Sequence, residues 1–419
     1  MTRLELSRAD RAVLAGDGGQ AAALAMRLII RMAEIGGAEE LIDVTRAHID
    51  GCLYHGQAGL DFVQRLVELG GKVRIPTTLN VATLDLLHPE LYRGDPVVAR
   101  AARTQMDAYL ALGCRPTWTC APYQLPDPPA FGEHVAWAES NAIVYANSVL
   151  GARTNRYGDF IDICAAITGR VPAAGLHLDA ERRGRVVFDV SGLASAVRES
   201  EVILPVLGHL IGRRAGSRVA VVDGLERVGE DGLKALGAAA ASSGAVALIH
   251  VVGVTPEAPT LGAALQGGLA DEVVAVDVAM LGAARDDLTT TSSSAIEAVS
   301  LGTPHASAAE LAVIRECLAG RSVSPRVAAF VSTGRDVAAS HPDLITELEA
   351  AGVTLVTDTC TYMTPILDPA IRVVMTDSAK WAFYAPGNIG VDVVFGSTRE
   401  CVESAIVGEL VRDEGLWSE

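Results

Sequence analysis

The stretch SRVAVVDGLERVGEDGLKALGAAAASSGAVALIHVV, Ser217–Val252, reads as strand, helix, strand. Its two ends, Ser217–Val222 and Ala245–Val252, are apolar and rich in valine and alanine, while Asp231–Ser242 between them is predicted helical. An apolar strand, a covering helix and a second apolar strand make the repeating unit of a parallel sheet. The pattern continues on both sides. Upstream lie a strand at Val186–Val190 and a helix near Glu199–Arg213; downstream lie a helix near Ala258–Leu269 and a strand at Glu272–Val278. The polar run Asp286–Ser294 reads as a boundary, loop or linker. Beyond it the alternation resumes, with strands at Val327–Val331, Thr354–Thr357, Ile371–Thr376 and Val391–Phe395. Helices near Ala308–Leu318, Asp343–Ala351 and Arg399–Val411 would cover them.

The first part of the chain begins helical. Ala21–Ile35 carries apolar residues at helical spacing and stops at Gly36-Gly37. Further helices are predicted at Gly59–Leu69, Pro96–Leu112 and Glu139–Leu150, with strand-like runs at Lys72–Ile75 and Arg115–Cys120. The fold class is therefore α/β, a multi-domain arrangement of parallel or mixed sheets covered by helices. The expected division is an N-terminal α/β domain with a helical start over 1–205, a middle domain over 206–290 and a C-terminal domain over 291–419.

Composition narrows the function classes. Half of the 419 residues are hydrophobic but only 5% are aromatic, so Ala, Val, Leu and Ile must fill the core. The formal charge is 34 − 51 = −17. A chain this acidic repels phosphate backbones and anionic lipids, which argues against nucleic-acid and membrane-surface roles. No segment reads as a membrane span, and Met1–Asp17 carries alternating charges with no apolar core of a signal peptide. Seven scattered cysteines fit reduced thiols in a cytoplasm, some of them available to a metal, better than a disulfide framework.

In open parallel sheets ligands bind beyond the carboxyl ends of the strands. Three polar runs follow such ends: Thr117–Tyr123, Thr357–Tyr362 and Thr376–Lys380. Neither a Gly-rich dinucleotide fingerprint nor a phosphate loop, zinc-protease helix, CxxC pair or nucleophile elbow is present. Cys52, Cys114, Cys317 and Cys401 sit in apolar contexts and read as packing residues. Cys120 and Cys360 lie in polar loops where a thiolate can meet a metal, and Cys164 divides between packing and ligation. Lys380, close after Ser378, is a general base, a carboxylate anchor, a Schiff-base former or simply a surface lysine. His305, ahead of a helix start, is a catalytic group or a satisfied core histidine. Arg153 with Asn147, Ser148 and Asn155 makes either an anion pocket or a helix-terminal capping cluster.

A resemblance to a known family rests on motifs spread in order along nearly the whole chain. They are Leu14–Gly19, Ala25–Leu28, Val44–Gly56, Ile75–Asn80, Thr119–Tyr123, Glu139–Thr154, Tyr157–Asp159, Leu301–Ser307, Asp358–Tyr362 and Ser378–Tyr384. In these the chain resembles the large, catalytic subunit of the aconitase X family. The resemblance implies an aconitase-like fold and an iron–sulfur-dependent hydro-lyase that dehydrates a small β-hydroxy acid. It further implies a small swivelling-domain partner subunit. Two family activities are expected candidates: dehydration of cis-3-hydroxy-L-proline to Δ1-pyrroline-2-carboxylate, favoured here, and dehydration of mevalonate 5-phosphate. A non-enzymatic assembly or regulatory subunit is the alternative. By position, Cys120 and Cys360 look like ligands of a [2Fe–2S] or larger cluster. Thr303 stands where a further cysteine is often found, which leaves Cys164 as the third candidate. The implied substrate grip is Arg153, Asn147, Ser148, Thr154 and Thr78, assisted by Lys380, with Ser378 or His305 as proton acceptor.

Overall fold

The computed structural model describes residues 4–225 and 227–417. The chain forms two compact units, one of Met1–Leu84 and Asp95–Arg183, the other of Asp85–Gly94 and Gly184–Glu419. Each has its own core.

The first unit holds five short strands: β1 (Leu41–Asp43), β2 (Ala47–Ile49), β3 (Thr77–Leu79), β4 (Ala136–Trp137) and β5 (Arg170–Pro172). The parallel order β3-β2-β4 makes one sheet, and β1 pairs antiparallel with β5. The helix Gln20–Ile35 buries Ala22, Ala25, Met26, Ile29 and Ala33, one stripe at helical spacing, and packs on the helix Ile161–Thr168. The strand expected at Lys72–Ile75 is not formed. There Val73 and Arg74 send their N–H groups to the Leu112 and Ala166 carbonyls at loop and helix ends, and the sheet begins only after Pro76. Arg115–Cys120 likewise forms no strand beyond an isolated bridge between Arg115 and Thr78.

The second unit carries two parallel sheets. The first contains β6 (Val186–Asp189), β7 (Ala220–Asp223), β8 (Ile249–Val251) and β9 (Glu272–Ala275) in the order β8-β7-β6-β9. β6 lies upstream of the expected division at residue 205 yet belongs to this sheet. The helices Ile203–Ala215 and Glu230–Ser243 pack tightly on one another. A Cβ at Gly208 would stand 2.2 Å from the Leu236 carbonyl oxygen, so only glycine permits that approach. The helix expected over Ala258–Leu269 shrinks to Leu261–Ala264, ending as Gly267-Gly268 approaches.

The second sheet has the order β12-β11-β10-β13-β14: β10 (Ala298–Ala306), β11 (Ala328–Thr333), β12 (Val353–Val356), β13 (Val373–Thr376) and β14 (Asp392–Phe395). Its central strand, β10, was not expected from the sequence. Gly302 and Pro304 argue against a strand, and the register with β11 does shift between Leu301 and Ala306. Gly302 takes φ +78°, and a Cβ there would meet the Ser332 carbonyl oxygen at 2.1 Å. The run Asp286–Ser294, expected as a boundary or linker, docks along β14, with Thr290 N–H donating to Val393 O at 2.9 Å. Among the described residues no helix is long and apolar enough to cross a membrane.

Candidate functional site

In the second unit the polar residues singled out from the sequence gather beyond the carboxyl ends of β10, β12 and β13. Asp85, on the segment that joins this unit, accepts from Thr357 N at 2.7 Å and Thr357 Oγ1 at 2.9 Å and so holds the turn after β12. Asp358 has φ +58° and is gripped by both arms of Arg335, at 2.8 and 2.6 Å. Cys360 follows, 1% exposed, with its carbonyl accepting from Met363 N and Thr364 N. His305, at the end of β10, is fully buried and its Nε2 lies 3.1 Å from Thr359 O. In that bond Nε2 is the donor, since a carbonyl oxygen can only accept. One ring nitrogen of His305 and the Cys360 sulfur are within 4.8 Å of one another.

Ser378 has a different task from the proton acceptor expected. Its hydroxyl caps the helix Ala379–Ile389, accepting from Trp381 N at 3.0 Å while donating to Thr303 O. Lys380 is no surface lysine: it is 4% exposed, in the first turn of that helix. Behind His305, Lys234 is buried with Asp231 at 3.1 Å and with Glu310, and its Nζ reaches His305 O at 3.4 Å.

In the first unit a second group of polar residues stands at the carboxyl ends of β2, β3 and β4. His48 and Asp50 come from β2, Thr78 and Asn80 from β3, and Glu139 from just beyond β4. His48 Nδ1 is 2.8 Å from the Thr78 hydroxyl, and burial lowers its pKa to about 4, so the ring is neutral. Asp162 accepts from the backbone N–H groups of Asp50 and Gly51, at 2.8 and 3.3 Å. Burial, with the charge of Asp159 adding to it, raises the Asp162 pKa to about 7. Burial and the neighbouring carboxylates Glu139, Asp159 and Asp162 likewise push Asp50 well above the usual range. Cys120 is buried at 3% exposure, and its carbonyl accepts from Asn141 Nδ2 at 2.8 Å.

The expected anion grip takes the other form foreseen for it, a capping cluster. Asn147 holds Thr154 from both amide atoms, at 2.9 and 3.0 Å, and also accepts from Arg182. Thr154 is fully buried and accepts from Trp137 N. Arg153 donates to His177 O at 3.1 Å and pairs with Asp179. Ser148 ends the helix Ser140–Ser148, buried, in the same corner. Cys164 lies in the helix Ile161–Thr168, and burial raises its thiol. Among the described residues it belongs to no group of three or more possible metal donors.

Sequence reasoning missed Arg182, which organises that corner, and the relay beside it. The Tyr157 hydroxyl donates to His177 Nε2 at 2.6 Å, and His177 Nδ1 faces His134 Nδ1 at 2.9 Å. Burial, then the charges of His134, Arg182 and Arg153, depress the His177 pKa from 6.5 to about 3. Between those pH values the unfolded chain binds a proton that the folded chain refuses, so this residue's contribution to stability is lost as pH falls below about 6.5. Urea midpoints measured at pH 7 and pH 5 should therefore fall with acid, and His177→Gln should flatten that dependence. An unchanged pH slope in the variant would contradict the assignment.

Comparison with known proteins places these residues in a family. Models of the aconitase X first, second and third domains match residues 3–180, 184–286 and 296–407. The chain is 44% identical to the cis-3-hydroxy-L-proline dehydratase of Pseudomonas aeruginosa, over 97% of this chain and 71% of that protein. It is 44% identical to the same-named enzyme of Hypocrea jecorina, over 97% and 69%. The phosphomevalonate dehydratase large subunit of Methanosarcina mazei is 35% identical, over 96% of this chain and 98% of that one. The crystal structure of Thermococcus kodakaraensis aconitase X in its holo-form superposes with a TM-score of 0.85 at 32% identity, covering 96% of this chain and 100% of the other. Domain models spanning nearly the whole sequence, together with relatives that are all dehydratases, establish that the chain belongs to the aconitase X family of hydro-lyases.

Proposed function

We propose that the protein is the large subunit of an iron–sulfur hydro-lyase that dehydrates cis-3-hydroxy-L-proline to Δ1-pyrroline-2-carboxylate. What carries this reading is the 44% identity, across 97% of the chain, to two proteins of that activity, against 35% to the phosphomevalonate enzyme. A small domain acts with it, as a partner chain. The archaeal relative, named as a large subunit, is matched over 98% of its length, which supports that arrangement. Seven free thiols favour the reducing cytoplasm as its compartment.

The donor chemistry fits an iron–sulfur group. Cys360 offers a buried thiol, and His305 offers Nδ1 with its other nitrogen tied to a backbone carbonyl, the arrangement that orients ligating histidines. Thiolate and imidazole are both iron ligands. We assign Cys360 and His305 as protein ligands, with His305 in this role instead of proton acceptor, and keep Cys120 as a ligand on the family resemblance. The group, when bound, supplies a Lewis acid at the departing hydroxyl. Dehydration also requires an acidified α-hydrogen, and that follows from neutralising the neighbouring carboxylate. We assign this work to Lys380, a buried lysine in the first turn of a helix, where a positive charge would add to the helix N-terminal dipole. The elimination product is an enamine that tautomerises to the cyclic imine.

The direct test is co-expression with a small-subunit counterpart and anaerobic assay of cis-3-hydroxy-L-proline and mevalonate 5-phosphate side by side. Turnover of the first, preferred by at least about 100-fold in kcat/KM, about 2.7 kcal/mol, is expected. Preference for the phosphate ester would reverse the reading. Iron-free, colourless protein with full activity would remove the cluster from it.

A further inference from the structure

We propose that Lys234 is a positioning residue for the iron–sulfur site: buried between Asp231 and Glu310, it holds the backbone of His305 and so aims the imidazole that serves as ligand. This rests on the ligand role given above to His305 and adds a residue that acts through it.

Lys234 belongs to the helix Glu230–Ser243 and is 3% exposed. Its ammonium meets Asp231 Oδ1 at 3.1 Å, Glu310 Oε2 and His305 O at 3.4 Å, three acceptors for three N–H donors. The two carboxylates are held in their turn. Asp231 accepts from the Ser307 hydroxyl at 2.8 Å, and Glu310 accepts from Ser307 N at 2.8 Å in the capping box of the helix Ala308–Leu318. Between these contacts, Ala306 O accepts from the Thr333 hydroxyl of β11 at 2.7 Å. The backbone of His305, Ala306 and Ser307 is thus tied to two helices and a neighbouring strand. At the far end of the side chain, His305 Nε2 donates to Thr359 O at 3.1 Å. With backbone and ring both fixed, the imidazole has one orientation to offer.

A buried ammonium is a costly way to fill space. Its desolvation is offset only by well-placed partners, and apolar side chains of the same volume often give equal or greater stability. What the lysine supplies and packing does not is a charged donor, whose hydrogen bonds are shorter and stronger than neutral ones. That donor reaches the carbonyl of the very residue whose ring must be aimed. A ring nitrogen of His305 lies within 4.8 Å of the Cys360 sulfur, a span at which a small rotation of the ring decides whether both atoms reach one group. Groups that orient a ligand from behind are typically worth 10- to 100-fold in metal affinity or activity.

The test compares the reduced, anaerobic holoenzyme with its Lys234→Met form and with Leu265→Ala, a cavity-forming change in the separate core of Val187, Val221 and Ala264. Pulsed electron paramagnetic resonance reads the hyperfine coupling of a ligating imidazole nitrogen, which follows the geometry at the metal and not the stability of the fold. Both variants should melt below wild type. Lys234→Met alone should shift or broaden the coupling and lower kcat by about 10- to 100-fold with KM within about twofold. Wild-type coupling in Lys234→Met, or the same change in Leu265→Ala, overturns the positioning role while the ligand reading of His305 stands. A wild-type holoenzyme without imidazole coupling removes both. If Lys234→Met does not fold, combining it with Glu310→Gln removes the carboxylate charge left behind and keeps an oxygen for Ser307 N. Altered coupling in that double variant supports the role, and wild-type coupling overturns it.

Discussion

Cys360→Ser yields a folded, colourless protein whose kcat is lower by at least about 10³-fold, a loss of about 4 kcal/mol of transition-state stabilisation. The size of the effect follows from where the thiol sits. Cys360 is 1% exposed and lies in a turn fixed by two hydrogen bonds to its own carbonyl, with His305 beside it. An alcohol is far harder to deprotonate than a thiol and is a poor partner for iron, so exchanging sulfur for oxygen removes the ligand. The shape of the turn survives, because Asp85 and Arg335 anchor Thr357 and Asp358 on its approach. Circular dichroism and the melting temperature should stay close to wild type while iron, sulfide and visible absorbance disappear with activity. A variant that keeps full turnover refutes the ligand assignment; one that loses turnover but keeps wild-type iron and absorbance moves Cys360 out of the cluster.

What the sequence revealed was governed by locality. β7, β8 and the helix Ala308–Leu318 carry their signals within a few residues, and they fold at or within the segments Ser217–Val252 and Ala308–Leu318 read for them. β10 was hidden because Gly302 and Pro304 weaken its local strand signal, while its buried position between β11 and β13 rewards a strand there. Cys120 and Cys360 were legible as thiols in polar loops, although Arg115–Cys120 is not the strand that reasoning assumed. Asn147 and Arg153 were legible as a polar cluster, anion pocket or cap, but their partners Arg182, His177 and Asp179, 24 to 35 residues away, were not. The carboxylates Asp50, Glu139 and Asp162 meet only through two separate strands and a helix, and no spacing rule announces them.

Arg182→Met lowers the stability of the first unit by about 3 to 5 kcal/mol, the range for breaking a buried charged network. Arg182 is 2% exposed, and its guanidinium serves four acceptors: Asn147 Oδ1 at 3.0 Å, Leu176 O at 2.9 Å, Asn147 O at 3.0 Å and Ala152 O at 3.2 Å. Three of these are backbone carbonyls that cannot move to water without opening the chain. Methionine fills much of the volume but donates nothing; Asn147 Oδ1 keeps Thr154 N, while the three carbonyls lose this donor, each at a cost of about 1 to 3 kcal/mol. The melting temperature should drop by about 10 °C, given about 2 to 4 °C per kcal/mol for a unit of this size. Arg182→Lys should recover less than half of the loss, because a single ammonium cannot span acceptors that lie on both arms of a planar fork. The distinction matters for the whole corner: Asn147 and Thr154 keep their geometry only while Arg182 holds the end of the helix Ser140–Ser148 against the segment that follows. A melting point within about 2 °C of wild type in Arg182→Met would mean that these carbonyls find other donors, and the guanidinium would then lose its place as the organiser of that corner.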